Sequence, residues 1–218
     1  MKRILVIAGA SGAGKTTVAS LMLEKYNEFG LVRSVTTRAP RGDGHDSEYI
    51  YLDKEEFERR ALGGELVEYM QYGDNMYGTP VSELERIFGE GKTPLLILDI
   101  EGVKSLRKKA FDFTPFIVYL WEELAVVEKR LYERDVKNNP TKEKVASYEK
   151  RVAMNRRDYL SMPELEPLFD LFVKNEGIEI SADRIKEAII SDNDKNENKA
   201  IACYLASTGY SVLSCIDS

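Results

Sequence analysis

Cysteine and histidine are almost missing from this chain. Its 218 residues hold two cysteines, Cys203 and Cys215, and one histidine, His45 in a polar loop. Two cysteines do not make a disulfide framework, nor a metal site without other ligands; reduced thiols in a cytosolic protein are the expectation. Long apolar runs are missing too. The run Ile4–Ala8 stops at Gly9, too short for a signal-peptide core or a membrane span. No later run approaches that length, so a cytoplasmic location without a membrane partner is expected. Excess positive charge is the third absence. The formal net charge is −6, and a nucleic-acid binder needs a broad basic surface to displace counterions. No nucleic-acid partner is expected, although a local basic pocket for a phosphate is compatible with an acidic chain.

What remains is ordinary: 43% hydrophobic and 31% charged residues, enough for one α/β domain with small inserted or appended parts. Ile4–Ala8, Leu95–Asp99, Phe116–Leu120 and Leu168–Val173 read as core strands, continuous apolar runs of the kind buried on both faces. Helical patterns run from Lys15 to Glu28, Val81 to Phe88, Glu122 to Arg134, Lys142 to Leu160 and Ile178 to Ile190. Asp53 has the place of an N-cap for a helix carrying Phe57 and Leu62. Leu66–Tyr72 is β-like and leads into the turn Gly73-Asp74-Asn75. The polar stretch Asp192–Asn198 reads as a linker, beyond which the chain turns apolar again.

Between the first strand and the first helix lies Gly9-Ala10-Ser11-Gly12-Ala13-Gly14-Lys15-Thr16, a full match to G-x-x-x-x-G-K-[ST]. Glycines let the backbone curl so that successive N–H groups face phosphate oxygens, and the following helix offers its positive end to the same anion. An ordinary glycine turn would need neither the lysine nor the hydroxyl. Lys15 is placed to reach β- and γ-phosphates, Thr16 to hold Mg²⁺, and Thr17 to extend the ATP contact.

The acceptor is indicated by resemblance. Ser34-Val35-Thr36-Thr37-Arg38-Ala39-Pro40-Arg41 resembles the guanylate kinase signature S-x-T-T-R-x-P-R. Glu68 precedes Gly73-Asp74-Asn75-Met76-Tyr77-Gly78-Thr79-Pro80, which resembles that family's G-N-x-Y-G-T turn, and Gly102-Val103 matches a further family position. The resemblance covers roughly residues 3–190. It implies a P-loop NTPase three-layer α/β fold with a central parallel sheet, a GMP-binding subdomain and a helical lid. It also implies transfer of the ATP γ-phosphate to GMP or dGMP with Mg²⁺. Arg38 and Arg41 would grip the monophosphate with guanidinium forks, joined by the Tyr49 and Tyr77 hydroxyls. Glu68, Ser34 and Thr79 would read guanine. Taken singly, such residues are what a solvated surface or a partial core carries; their order behind an intact phosphate loop is what points to a site.

The chain departs from the family pattern in two places. Asp43 stands where the family has glutamate, and Leu98-Asp99-Ile100-Glu101-Gly102 is shorter than the family's equivalent. Either Asp99 or Glu101 could take the carboxylate roles toward guanine and, for Asp99, Mg²⁺. Arg130-Leu131-Tyr132-Glu133-Arg134 resembles the start of the family's lid, and Arg151 its later arginine, across a longer intervening stretch. Arg156 and Arg157 are further candidates. Asn175 matches the asparagine after the last strand, toward the ATP end. The resulting division is a core of 1–32, 81–124 and 158–190, a GMP region of 33–80, a lid of 125–157, and a tail of 191–218. The partners expected are ATP and GMP, with the chain a monomer or homodimer. Rival readings are a related P-loop kinase with another phosphorylated acceptor, and a guanylate-kinase-like binding module without catalysis.

Overall fold

A computed structural model describes residues 2–40, 46–191 and 198–213. Among them the elements run β1 (Lys2–Ala8), α1 (Lys15–Lys25), β2 (Phe29–Leu31), β3 (Ser34–Thr36), β4 (Tyr49–Tyr51), α2 (Lys54–Leu62), β5 (Leu66–Tyr72), β6 (Asn75–Pro80) and α3 (Val81–Gly89). Then follow β7 (Thr93–Ile97), α4 (Ile100–Arg107), β8 (Phe113–Trp121), α5 (Leu124–Asp135), α6 (Lys142–Leu160), α7 (Met162–Leu165), β9 (Leu171–Lys174), α8 (Ile178–Ser191) and α9 (Asn198–Leu213). The strands form a five-stranded sheet in the order β2-β7-β1-β8-β9 and a four-stranded sheet in the order β4-β3-β6-β5. β2 runs parallel to β7 and β8 parallel to β9. Out-of-sequence parallel neighbours need helical crossovers, so this is the expected α/β fold with a central parallel sheet.

By compactness the chain divides into two units, Met1–Val6 with Met22–Phe116, and Ile7–Leu21 with Ile117–Ser218. In the first unit, β6 pairs antiparallel with both β3 and β5, while β3 and β4 run parallel. The β5–β6 hairpin turns at Gly73 with φ of 60°, which suits glycine. Val35, Phe57 and Leu66 form a small core under this sheet, with Ile50, Leu52, Ala61 and Met76 packed against it. Asp53 caps α2 by accepting from the Glu56 N–H at 2.8 Å.

The second unit is built on β8 and β9, whose Val118, Leu120, Leu171 and Val173 are buried together with Ile185 of α8 and Ala202 and Leu205 of α9. Helix α9 packs on α6, α7 and β9. Its first residue, Asn198, is 2% exposed. The Asn198 side chain accepts from the Phe172 N–H at 3.1 Å and donates to the Asp170 carbonyl at 3.2 Å. One amide thus satisfies two backbone groups of the segment entering β9, the last strand in the sheet order.

Differences from expectation are local. β3 and β6 are short and polar, so no run of alternation announces them. Helix α4 is separated from β7 by two residues, is capped by Asp99, and includes Gly102 among its eight residues, so its sequence carries little helical signal. The last core strand starts at Leu171 and not at Leu168, because Glu166–Leu168 forms a 3₁₀ turn around Pro167, whose fixed φ and missing N–H oppose strand pairing. The apolar tail is helical.

Replacing Asn198 by alanine takes the side-chain acceptor from the buried Phe172 N–H and a donor from the half-buried Asp170 carbonyl. Urea denaturation should show a loss of about 1–3 kcal/mol; a loss under 0.5 kcal/mol would mean that water replaces the amide.

Candidate active site

The phosphate loop lies in the second unit. Gly9 has φ of 151°, Gly12 of 93° and Gly14 of 98°, all costly for side-chain-bearing residues. Space enforces the same choice. A Cβ on Gly9 would lie 2.1 Å from the Leu120 carbonyl oxygen, and one on Gly14 would lie 2.4 Å from Asn175 Nδ2. The loop's carbonyls are held from outside. Lys15 Nζ donates to the Gly9 and Ala10 carbonyls at 2.8 and 2.9 Å. Asn155 Nδ2 donates to the Ser11 carbonyl at 2.9 Å, and Asn175 Nδ2 to the Ala13 carbonyl at 2.7 Å. Helix α1 begins at Lys15, so Thr16 and Thr17 occupy its first turn.

The arginines expected in a lid belong to the same unit. Arg134 and Arg151 converge on one carboxylate: Arg134 donates to Asp135 at 2.7 and 3.0 Å, and Arg151 at 3.1 Å. Arg130 reaches the Glu122 carboxylate at 3.3 Å. Arg156 makes a two-pronged pair with Glu128 at 2.7 and 3.1 Å, which ties α6 to α5.

In the first unit the residues expected to hold a nucleoside monophosphate fall into two groups. The Arg38 guanidinium lies 5.0 Å from the Tyr49 ring centre and 5.8 Å from that of Tyr51, and the Tyr49 and Tyr77 rings meet edge to face at 6.3 Å. The strand register brings these residues together: Ser34 lies opposite Tyr49, and Thr36 opposite Tyr77. Asp46 receives the Tyr51 hydroxyl and stands 3.9 Å from Arg38. Arg41 and Asp43 lie outside the described residues.

The second group surrounds Glu68. Its register partner Thr79 donates a hydroxyl hydrogen bond to Oε1 at 2.7 Å. Oε2 lies 3.4 Å from where a Gly102 Cβ would be, so a side chain there would press on the carboxylate. Glu68 is 2% exposed. Burial pushes its carboxyl up to about 7 and the nearby Asp99 charge adds to this, while the Thr79 bond and Lys109 oppose it. Asp99 caps α4, accepting from the Gly102 N–H at 2.8 Å. Glu101 is exposed and paired with Lys104 at 2.8 Å. Of the two carboxylates weighed from the sequence, Asp99 is therefore the one beside Glu68.

Asn155, Tyr51 and Asp46 escaped the sequence reading. Tyr51 alternates with Tyr49 on the same short strand, a pattern that would have found it. Asn155 shares the buried face of α6 with Val152 and Tyr159, and a lone asparagine on an apolar face carries little signal.

A sequence profile described as Guanylate kinase matches residues 1–192. The chain is 31% identical over 192 residues to a guanylate kinase of Enterococcus faecalis, covering 87% of this chain and 89% of that protein. It is 33% identical to one of Onion yellows phytoplasma, covering 93% and 91%. It is 31% identical to one of Sus scrofa, covering 88% and 94%. A crystal structure of guanylate kinase from Anaplasma phagocytophilum superposes with a TM-score of 0.63 at 26% identity, covering 89% of this chain and 88% of that one.

The Glu68 environment has a measurable cost. The carboxyl titrates near 4.5 when unfolded and near 7 when folded. Below 4.5 both states carry the proton and the contribution is whole. Between the two values only the fold binds it, so stability falls as pH rises through 7. Comparing wild type with Glu68→Gln by urea denaturation at pH 5 and 8 should show the wild type losing about 3 kcal/mol relative to the variant. Parallel pH profiles would mean that Glu68 is ionised in the fold throughout.

Proposed function

The chain belongs to the guanylate kinase family, and on that premise we propose that it transfers the γ-phosphate of ATP to GMP or dGMP, giving ADP and the nucleoside diphosphate. The observation that carries the substrate reading is Glu68, an acidic group kept almost fully out of water beside the like-charged Asp99 and held by the Thr79 hydroxyl and backbone. Burying such a group is costly, and a ligand that brings hydrogen-bond donors to it recovers part of that cost. Guanine offers N1–H and the 2-amino group side by side, and adenine offers no such donor pair. A site built for these donors rejects a base lacking them more strongly than an apolar pocket does. Ser34 and Thr79 complete the guanine edge, and Asp99 takes the second carboxylate role.

Arg38, together with Arg41, Asp43, Tyr49 and Tyr77, is assigned to the acceptor phosphate and its surroundings. Arg38 against the Tyr49 ring presents a preoriented guanidinium plane. Gly9–Thr17 and Asn175 are assigned to ATP. Lys15 spans two loop carbonyls here, and a polyphosphate in the loop offers its ammonium a stronger partner. Arg130, Arg134 and Arg151 supply lid cations that exchange Glu122 and Asp135 for phosphate oxygens. Phosphoryl transfer leaves the protein mainly positioning and charge neutralisation, which this set supplies.

Mg²⁺ fits the residues present. The Thr16 hydroxyl is a hard oxygen in the first turn after the loop, as an ion carried largely by phosphate and water requires. Asp99 is assigned to the ion on its ligand type alone, a hard carboxylate oxygen; its Oδ1 accepts the cap bond of α4. The ion, when bound with ATP, spreads the charge of the β- and γ-phosphates. We place residues 33–80 in GMP binding and 125–157 in a lid, with 1–32, 81–124 and 158–190 as core. The enzyme then acts on the cytoplasmic nucleotide pool in purine nucleotide metabolism, as a monomer or homodimer. Among the described residues, no helix is long and apolar enough to cross a membrane.

The experiment is a coupled assay of ADP formation across GMP, dGMP, AMP, CMP and UMP. Turnover confined to the guanine nucleotides supports the reading, and equal turnover of AMP would overturn it. Lys15→Ala should lower kcat by at least about 100-fold with the circular dichroism spectrum of the folded protein kept, since Lys15 is half-buried at the end of the loop and its loss opens no apolar core cavity. Glu68→Gln should weaken GMP by about 2 to 4 kcal/mol in KM terms while leaving the KM for ATP in place.

A further inference from the structure

We infer that Asn155 is a positioning residue for phosphoryl transfer, through which helix α6 sets the peptide planes of the phosphate loop. The inference rests on the reading of that loop as the ATP site. Asn155 grips Ser11 at both ends. Its Oδ1 accepts from the Ser11 N–H at 3.0 Å, and its Nδ2 donates to the Ser11 carbonyl at 2.9 Å. The residue is 2% exposed, so neither group has ready access to water as a substitute.

The consequence follows from peptide geometry. In a trans peptide the carbonyl of one residue and the N–H of the next point in opposite directions. Turning the Ser11 carbonyl toward α6 therefore turns the Gly12 N–H away from α6. Asn175 does the same one peptide pair further on, holding the Ala13 carbonyl and so directing the Gly14 N–H. Two asparagines, one on α6 and one after β9, thus set the direction of alternate amides in a loop whose task is to present amides to an anion. Neither residue needs to touch the nucleotide to do this.

Helix α6 is itself held in place. Arg151 and Arg156 tie it to Asp135 and Glu128 of α5, and the Tyr159 hydroxyl donates to the Glu122 carbonyl. On its other side Gly209 of α9 packs so closely on Leu160 that a Cβ would lie 2.9 Å from the leucine side chain. The helix carrying a lid arginine, Arg151, is therefore the same rigid piece that orients the loop.

The test compares Asn155→Leu and Asn155→Asp with wild type. Leucine keeps the volume and removes both hydrogen bonds. Aspartate keeps an acceptor for the Ser11 N–H and removes the donor, and it serves if the leucine variant does not fold. Either should raise the KM for ATP roughly ten- to hundredfold with the KM for GMP within about twofold, and should weaken ATP binding by calorimetry to the same degree. A packing role alone would leave the leucine variant with the wild-type KM for ATP, and that result overturns the inference. So does a rise in both KM values together. If wild type binds ATP but transfers nothing, the reaction assigned above fails while the calorimetric comparison still decides Asn155. If wild type does not bind ATP, both fall.

Discussion

A phosphate-binding loop must turn its amides inward, and a chain can do this only if its carbonyls find partners outside. That constraint organises the second unit. The Gly9, Ala10, Ser11 and Ala13 carbonyls all carry side-chain hydrogen bonds, from Lys15, Asn155 and Asn175. Each donor must be delivered from a different element: α1, α6 and the segment after β9. The glycines answer the same demand from the other side. At Gly9 and Gly14 the loop runs so close to Leu120 and Asn175 that a methyl group has no room. Removing polar atoms from water is tolerable only when each finds a partner, so the loop's shape and the helices around it are one problem with one solution.

The first unit meets a different problem. It buries an acidic group close to another acid. Glu68 keeps the Thr79 hydroxyl as a partner on Oε1 and sits near the like-charged Asp99. The fold would be more stable with a neutral, apolar side chain at that place. On the proposed reading, a ligand that brings two donors to this carboxyl recovers part of that cost, so the penalty in the unliganded protein would become discrimination in the bound one. The hydrophobic cluster of Val35, Phe57 and Leu66 under the same sheet is what offsets it. A register shift in β5 between Leu66 and Glu68 sets Leu66 opposite Pro80 and Glu68 opposite Thr79, so one strand serves both the cluster and the buried acid.

How much of this was legible in the sequence follows from where each requirement acts. The phosphate loop was readable because its demands fall on the backbone, and backbone demands select glycine at fixed spacing. Strands such as β1 and β8 were readable because they are buried on both faces. Glu68 and Arg38 were readable only through motif order, since a single glutamate or arginine has no local signature. Asn155 was not readable at all: its partner is 144 positions away, and on α6 it interrupts an apolar face with nothing nearby to explain it. The choice between Asp99 and Glu101 also needed coordinates. The two lie on one short segment, and only the cap of α4 shows that Asp99 turns toward Gly102 while Glu101 pairs with Lys104 at the surface.

The tail extends the same logic past the family-matched span, which ends at residue 192. An edge strand exposes backbone groups that invite unwanted pairing, and Asn198 answers the groups at Asp170 and Phe172 with one side chain. Helix α9 then runs on to α6, where Gly209 meets Leu160. A residue larger than glycine at 209 would push on the helix that holds Ser11. The tail therefore does more than cover β9. It backs the one helix whose position the phosphate loop reads through Asn155, so a change in the tail has a physical route to the loop that needs no contact with nucleotide.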